Sequence, residues 1–153
     1  MHDLEVEITE IREEFLKGIY EIEQQSFSAP YPPQVFTVMA REVPETFLVA
    51  ISGQAVVGYV LASLRRGDGH VLSIAVRRGF RRRGIGTKLM ERILIALLRK
   101  GVTRVNLEVR TSNRTARRFY AKLGFEETGL IRKYYNDGED AVKMSKNLTE
   151  QVT

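Results

Sequence analysis

One short segment near the middle of the chain combines the residue types of an anion-binding loop. It reads Arg81-Arg82-Arg83-Gly84-Ile85-Gly86-Thr87 and lies between an apolar run that predicts a strand and a periodic apolar run that predicts a helix. The first backbone N–H groups of a helix have no partner inside the helix and lie at the positive end of its dipole. Glycines let an anion approach those N–H groups, and arginines raise the local positive potential. The segment therefore predicts a pyrophosphate site.

Two well-known nucleotide-binding loops do not fit this segment. Gly79 and Gly84 have the spacing of a Walker loop, but Ile85 stands where that loop needs lysine. A Rossmann fingerprint needs a third glycine where Leu89 stands, and it follows the first strand of a βαβ unit rather than a run of strands. A solvated basic face or a nucleic-acid-binding patch remains an alternative. Nucleic acid is the less favoured partner, because Phe80 is the only aromatic residue among these arginines that could stack on a base.

The composition narrows the class of protein. With 153 residues, 43% of them hydrophobic, the chain has the size and core of one domain, 1–153, whose tail from about residue 149 we expect to be frayed. It contains no cysteine and two histidines, so we expect no disulfide and no metal. We find no signal-peptide pattern and no apolar run near the ~20 residues of a membrane span, so we expect a cytoplasmic protein without a membrane partner. The net charge of +5 favours phosphorylated partners.

The apolar pattern predicts an α/β fold with elements in the order β-α-α-β-β-β-α-β-α-β-β, a mixed sheet with helices on its faces. Strands are predicted over residues 4–8, 46–51, 55–64, 70–76, 105–109, 125–135 and 141–148. Helices are predicted over residues 10–25, from Pro33 to before Pro44, from Gly84 to before Gly101, and from the cap Asn113 to before Gly124. Turns are predicted at Ser52-Gly53-Gln54, Gly67-Asp68-Gly69 and Asn136-Asp137-Gly138.

Together with residues downstream, the loop resembles the GNAT superfamily of acetyl-CoA-dependent N-acetyltransferases. The loop has that family's pattern Arg/Gln-x-x-Gly-x-Gly after a strand, and the run from His70 to Val76 resembles the family's fourth strand. A second family segment, Asn-x-x-Ala-x-x-Phe-Tyr-x-x-x-Gly-Phe, is matched by Asn113, Ala116, Phe119, Tyr120, Gly124 and Phe125. The resemblance covers about residues 4–148. It implies an α/β (α+β) GNAT fold, with a mixed, mostly antiparallel sheet of about seven strands flanked by four helices, and acetyl-CoA as cosubstrate.

Two further segments carry a narrower resemblance. Residues 107–113 and 133–141 resemble the RimI/Ard1 group, which acetylates the N-terminal α-amines of proteins, including a ribosomal protein. This resemblance implies a protein or peptide N-terminus as substrate and makes the ribosome or nascent chain a candidate partner. Two alternatives stay open: an acetyltransferase for lysine side chains or a small amine, and a domain that binds the coenzyme without catalysis.

The resemblance also implies roles for single residues. The fourth and fifth strands are expected to splay apart around the pantetheine arm of the cosubstrate, and the acetyl group is expected to pass directly to the amine. Glu108 matches the general base of the RimI group, and Tyr120 matches the general acid that protonates the departing thiolate. The residues implied in cosubstrate binding are Ile74, Ala75, Val76, Arg81, Arg82, Arg83, Gly84, Ile85, Gly86, Thr87 and Asn113.

The remaining candidates concern the acceptor side of the site. Tyr31, Tyr134 and Tyr135 are candidate walls of a peptide pocket, since aromatic rings with hydroxyl tips suit a short extended N-terminus. Several Ard1-like enzymes carry a glutamate just before the tyrosine of the first helix–helix loop, whereas that loop here reads Ser28-Ala29-Pro30-Tyr31. Base catalysis then depends more on Glu108. His70 is interpreted as a structural residue, and a position near the reacting centre is the alternative.

Overall fold

The computed structural model describes residues 5–148 and consists of a seven-stranded sheet with helices on both faces. The strands are β1 (Glu7–Glu10), β2 (Phe47–Ser52), β3 (Ala55–Arg65), β4 (Asp68–Val76), β5 (Arg104–Arg110), β6 (Glu126–Ile131) and β7 (Ala141–Asn147). The helices are α1 (Leu16–Ser26), α2 (Pro33–Glu42), α3 (Ile85–Arg99) and α4 (Arg114–Lys122), with 3₁₀ turns at Glu13–Phe15 and Pro44–Thr46. The order of elements predicted from the sequence is confirmed. In this part of the chain, no helix combines the length and apolarity that a membrane crossing requires.

The sheet divides into two halves that meet at β4 and β5. Its strand order is β1-β2-β3-β4-β5-β7-β6, and every neighbouring pair is antiparallel except β4 with β5. These two parallel strands pair at only two positions, Gly69 with Val105 and His70 with Asn106. Beyond those pairs the two backbones form no further strand pairing, so a wedge-shaped cleft opens between them. The splayed strands predicted from the sequence are therefore present.

Each face of the sheet has its own apolar core. On one face, α3 buries Leu89, Met90, Ile93 and Leu97 completely, as its helical spacing predicts. On the other face, α1 and α2 bury Ile19, Ile22 and Phe36 against β2 and β3. Strand β5 alternates between buried and half-buried residues, with Val105, Leu107 and Val109 on the α3 side. Glu108 therefore lies on the α1–α2 side of the sheet.

Several predicted boundaries differ from the structure. β4 begins at Asp68 rather than residue 70, because the turn is formed by Arg66 and Gly67, both with positive φ (54° and 86°). β6 ends at Ile131 rather than residue 135, and a loop with its own turn, closed by the bond from Gly138 N–H to the Tyr135 carbonyl (2.9 Å), leads to β7.

The N-terminal elements are also shifted from their predicted positions. α1 begins at Leu16, after a 3₁₀ turn, instead of at residue 10, and β1 spans Glu7–Glu10 instead of 4–8. The start of that predicted strand, residue 4, and the tail from 149 lie outside the described residues.

Candidate active site

The predicted anion loop forms the N-terminal end of α3. Gly84 is the N-cap and has a left-handed backbone, with φ at 80°. The first bond of the helix runs from Lys88 N–H to the Gly84 carbonyl (3.0 Å), so the N–H groups of Ile85, Gly86 and Thr87 have no helical acceptor. A Cβ on Gly84 would meet no atom within 4 Å, which leaves the backbone open to a ligand. This geometry fits an anion bound at a helix N-terminus.

The three arginines of the predicted loop differ in their contacts. The Arg81 guanidinium turns back, where its Nε donates to the Val76 carbonyl (2.7 Å) and its Nη2 to Ser26 Oγ (3.3 Å). Arg81 therefore ties the end of β4 to α1. Arg82 and Arg83 are exposed, and Arg82 has a positive φ of 63°. These two side chains are the ones available to raise the potential at the loop.

The cleft between β4 and β5 offers an unpaired backbone edge. Ile74, Ala75 and Val76 pair with β3 on one side, and no part of β5 pairs with them on the other. An extended ligand arm can bond to such an edge as an added strand does. Asn113 lies at the start of α4, where its Oδ1 accepts from Ala116 N–H (3.1 Å). It is therefore a helix cap whose side-chain NH₂ points to no partner within residues 5–148.

Glu108 and His70 meet across the narrow end of this cleft. His70 Nε2 lies 2.7 Å from Glu108 Oε1, and the Tyr134 hydroxyl donates to the same oxygen at 3.3 Å. A carboxylate only accepts hydrogen bonds, so Nε2 is the donor. His70 Nδ1 is buried and has no partner among the described residues. The imidazole of His70 therefore directly contacts the candidate base, which agrees with the alternative position near the reacting centre.

The surroundings of Glu108 keep it ionised. Burial alone would raise the pKa of Glu108, but the hydrogen bond and charge of His70, the bond from Tyr134 and the charge of Arg65 together lower it. Its side chain is 15% exposed, so a ligand that reaches this end of the cleft can contact it. Glu108 is thus a carboxylate that can hold an ammonium group or take a proton from a reacting amine.

The three predicted tyrosines surround Glu108. Burial, followed by the charge of Glu108, raises the pKa of Tyr31 and raises that of Tyr134 to about 12. Burial and the neighbouring Tyr134 raise the pKa of Tyr135 to about 12 as well. The rings of Tyr134 and Tyr135 are perpendicular at 5.0 Å, and the Arg110 guanidinium lies 4.0 Å from the Tyr135 ring centre. All three hydroxyls therefore stay protonated near neutral pH, so those of Tyr31 and Tyr135 can donate to a peptide while that of Tyr134 donates to Glu108.

A network that the sequence interpretation missed holds the loop between β6 and β7. Glu139 accepts from Arg110 Nη1 (2.9 Å), Thr111 Oγ1 (3.2 Å) and Ser112 N–H (2.9 Å). These bonds, led by those from Ser112 and Arg110, lower the pKa of Glu139 to about 2. The network fixes the loop that carries Tyr134 and Tyr135 to the end of β5. The Glu-Asp pair that follows the Asn-Asp-Gly turn was the available signal.

Tyr120 lies on α4 and belongs to an aromatic group. Its ring packs edge-on against Phe119 (5.4 Å) and Phe125 (5.9 Å). Burial, and to a smaller extent Tyr135, raises the pKa of Tyr120. Its hydroxyl is therefore protonated at neutral pH, and no acceptor for it is found within residues 5–148. Such a hydroxyl can act as a proton donor to a ligand.

A second carboxylate of the site region was also missed. Glu23 of α1 is only 2% exposed and accepts three hydrogen bonds, from the hydroxyls of Tyr59 and Ser73 and from the backbone N–H of Tyr31. The signal was its position, four residues after Ile19 and four before Phe27, on the apolar stripe of α1. A carboxylate does reach the first helix–helix loop, from the preceding helix.

The geometry now defines a class of protein. A cleft between the splayed parallel strands β4 and β5 leads from an anion loop to a carboxylate and several protonated tyrosines, which suits transfer of a group from a phosphorylated carrier. Residues 16–125 match the Acetyltransferase (GNAT) family. The chain belongs to this family and is an acetyl-CoA-dependent N-acetyltransferase. Among the described residues, no three His, Asp or Glu side chains converge as metal ligands would.

Individual relatives narrow the comparison. The chain is 37% identical over 143 residues to an N-alpha-acetyltransferase of Sulfurisphaera tokodaii, covering 85% of this chain and 86% of that protein. It is similar to the crystal structure of Ard1 from Thermoplasma volcanium, with a TM-score of 0.90, 34% identity, and 95% and 99% of the two chains covered. The ribosomal-protein-S18-alanine N-acetyltransferase from Escherichia coli superposes with a TM-score of 0.81 at 27% identity, over 97% and 99% of the chains. The α/β GNAT fold expected from the sequence is thereby confirmed.

Proposed function

We propose that this enzyme acetylates the N-terminal α-amine of proteins. The observation that carries the proposal is the ionised Glu108, held by His70 and Tyr134 at the end of the β4–β5 cleft and surrounded by tyrosines. A carboxylate there attracts the positive α-amine, and the tyrosines flank an extended chain. The relative named N-alpha-acetyltransferase supports this choice of amine.

The cosubstrate residues form one continuous path in this proposal. The N–H groups of the α3 N-terminus, from Arg82 to Thr87, hold the pyrophosphate. The free edge of β4 at Ile74 and Val76 bonds the pantetheine arm, and the NH₂ group of Asn113 contacts the arm from α4. Acetyl-CoA, when bound, supplies an acetyl thioester that an amine can attack. The path ends beside Glu108, so an amine held by the Glu108 carboxylate would lie next to the thioester.

The chemistry of the amine explains why one carboxylate is enough. An α-amine has a pKa of about 7.7–8.0, so roughly a tenth is neutral at pH 7, whereas about one lysine in 2,500 is neutral. The nitrogen becomes strongly acidic as its bond to carbon forms. Glu108, although its pKa is lowered, is then basic enough to take the proton, directly or through a water. His70 keeps Glu108 oriented through its 2.7 Å bond.

The remaining two roles follow from the tyrosines. Tyr120 donates its hydroxyl proton to the departing thiolate, and its raised pKa means that this proton is present at neutral pH. The proton that Glu108 takes from the amine balances the one that the thiolate gains, and Tyr120 regains its proton from water. Tyr31, Tyr134 and Tyr135 hold the first residues of the peptide. The relative that acts on ribosomal protein S18 makes a ribosomal or nascent chain the natural source of such an N-terminus.

A peptide panel tests the proposal. Purified enzyme and acetyl-CoA are mixed with short peptides that have free or blocked N-termini and an internal lysine, and mass spectrometry locates the acetyl group. We expect acetylation of free N-termini only, and a 10²- to 10⁴-fold lower kcat for Glu108→Gln, the range expected for loss of a general base. Glu126→Gln, at an exposed position of β6, is the matched control and should keep full activity. Acetyl groups on lysine alone would refute the proposal and indicate a side-chain or small-amine enzyme.

A further inference from the structure

Glu23 is a buried carboxylate that joins β4 to the loop between α1 and α2, residues 27–32, here called the acceptor loop. Its Oε1 accepts from Tyr59 of β3 and from Ser73 Oγ of β4 (2.7 Å), and its Oε2 accepts from the Tyr31 backbone N–H (2.9 Å). Ser73 directly precedes Ile74, whose backbone lines the cleft. Three elements and one loop therefore meet at a single buried side chain.

The loop that Glu23 holds has few other fixed points. Between α1 and α2, residues 27–29 are exposed, and the bond from Phe27 N–H to the Glu23 carbonyl (3.2 Å) belongs to the end of α1. The Tyr31 ring rests edge-on against Phe36, with ring centres 6.4 Å apart. The Glu23 carboxylate fixes the backbone of Tyr31, and Phe36 supports its ring. Together they set where the Tyr31 hydroxyl lies relative to Glu108.

Stability alone is a weak reason for a carboxylate at this position. A buried carboxylate loses its hydration, and this cost offsets part of what its hydrogen bonds contribute. Glu23 lies among Ile19, Ile22 and Phe36, where a leucine would pack well. The hydroxyls of Tyr59 and Ser73, 3.2 Å apart, could then bond to each other. The Tyr31 N–H and one of the two hydroxyl protons would then lose their acceptor within the protein, which costs stability.

We propose that Glu23 is a positioning residue for the amine acceptor, which it serves by anchoring Tyr31 at the mouth of the site. The inference rests on the proposed function, in which Tyr31 is a wall of the peptide pocket. Glu23 touches neither substrate nor cosubstrate and acts through Tyr31 alone. Loss of the anchor should therefore weaken the use of the peptide and leave the use of acetyl-CoA intact, while the fold loses only the stability that the unpaired donors cost.

Two substitutions at Glu23 separate positioning from stability. Glu23→Leu removes both acceptor oxygens, and we expect a rise of about 10-fold in KM for the peptide, about 1.4 kcal/mol, with KM for acetyl-CoA within about 3-fold and a melting temperature that falls no further than that of a variant with another buried hydrogen bond deleted. Glu23→Gln keeps one oxygen for Tyr31 N–H while the hydroxyls of Tyr59 and Ser73 rotate to accept, so it should restore KM to near the wild-type value. Thr46→Val, which deletes a buried hydrogen bond to Ala62 (2.8 Å) elsewhere, is the control for lost stability and should keep both KM values.

Amide hydrogen exchange gives a measurement that does not depend on catalysis. In the wild type, the Tyr31 amide should exchange at least about 10-fold more slowly than the exposed amides of Ser28 and Ala29, and Glu23→Leu should remove this protection. An unprotected Tyr31 amide in the wild type, or a Glu23→Leu enzyme with unchanged peptide KM, would overturn the inference. If the wild-type enzyme acetylated lysine instead, the proposed function would fail, and the same comparison of KM with that amine would still decide the role of Glu23.

Discussion

Replacing Gly84 with alanine tests whether the N-terminus of α3 holds the pyrophosphate. Gly84 has a φ of 80°, in the left-handed region, and a Cβ there would meet no atom within 4 Å. The cost to folding is therefore the backbone penalty alone, about 1–2 kcal/mol. For a domain of this size, that corresponds to a fall in melting temperature of roughly 2–8 °C.

The chain contains a matched control for this penalty. Gly53, in the turn between β2 and β3, has a φ of 63°, and its Cβ would likewise meet no atom within 4 Å. Gly53→Ala should lower the melting temperature by a similar amount. It lies outside the β4–β5 cleft, so it should not affect the use of acetyl-CoA. Any difference between the two variants then reports on the loop rather than on stability.

The functional effect of Gly84→Ala comes from one added methyl group beside the helix N–H groups. If it costs one hydrogen bond between the protein and a charged phosphate, the loss is about 1.5–3 kcal/mol, roughly a 10- to 100-fold rise in KM for acetyl-CoA. Differential scanning fluorimetry gives the melting temperatures, CoA release gives KM, and calorimetry gives the affinity for CoA. Equal KM values in Gly84→Ala and Gly53→Ala would refute the assignment of the pyrophosphate to this loop.

Three further outcomes follow from the site. Because the pKa of Glu108 is lowered, Glu108 stays ionised above pH 6 and only the α-amine titrates. The value of kcat/KM for peptides should therefore rise about 10-fold from pH 6 to 7 and level off above about pH 8. A second ionisation near pH 6 would contradict this. Tyr120→Phe should lower kcat about 100-fold or more and keep the melting temperature; an unchanged kcat would remove Tyr120 from the reaction. Glu139→Gln should lower the melting temperature above pH 4.5, because the wild-type carboxylate is then ionised and bonded. The difference from the wild type should vanish as the pH falls to about 2, the pKa of Glu139. A difference in melting temperature that stays constant with pH would exclude the carboxylate network.

In the proposed function, the two faces of the sheet have different roles. The α3 face provides the apolar core and the helix whose N-terminus receives the anion. The α1–α2 face carries Glu108, His70 and the acceptor loop with Tyr31. The gap between β4 and β5 connects the two, because a ligand arm can pass from the loop at Gly84 along β4 to Glu108. A substitution at the anion loop on the α3 face should therefore change KM for acetyl-CoA, whereas a substitution on the α1–α2 face should change KM for the amine.

Local patterns in the sequence were enough to predict the elements and part of the site. The Gly84-Ile85-Gly86 segment between an apolar run and a periodic run predicts a helix N-terminus, because backbone conformation at glycine and apolar periodicity are local properties. Alternation along β5 predicts that the Glu108 side chain lies on the other face of the sheet from Val105 and Leu107. Boundaries were less certain, as at β4, where Asp68 and Gly69 pair with β3 instead of forming a turn.

The contacts between distant residues were decided by the tertiary structure alone. The bond between His70 and Glu108 joins residues 38 apart, and the bond between Ser73 and Glu23 joins residues 50 apart. Such pairs depend on strand register and on how α1 packs on the sheet, and a shift of one residue would turn each side chain to the other face. The sequence by itself determined the order of elements, the anion loop and the candidate base. Only the packed sheet determined that Glu108 has an imidazole partner and that Tyr31 is anchored by a buried carboxylate.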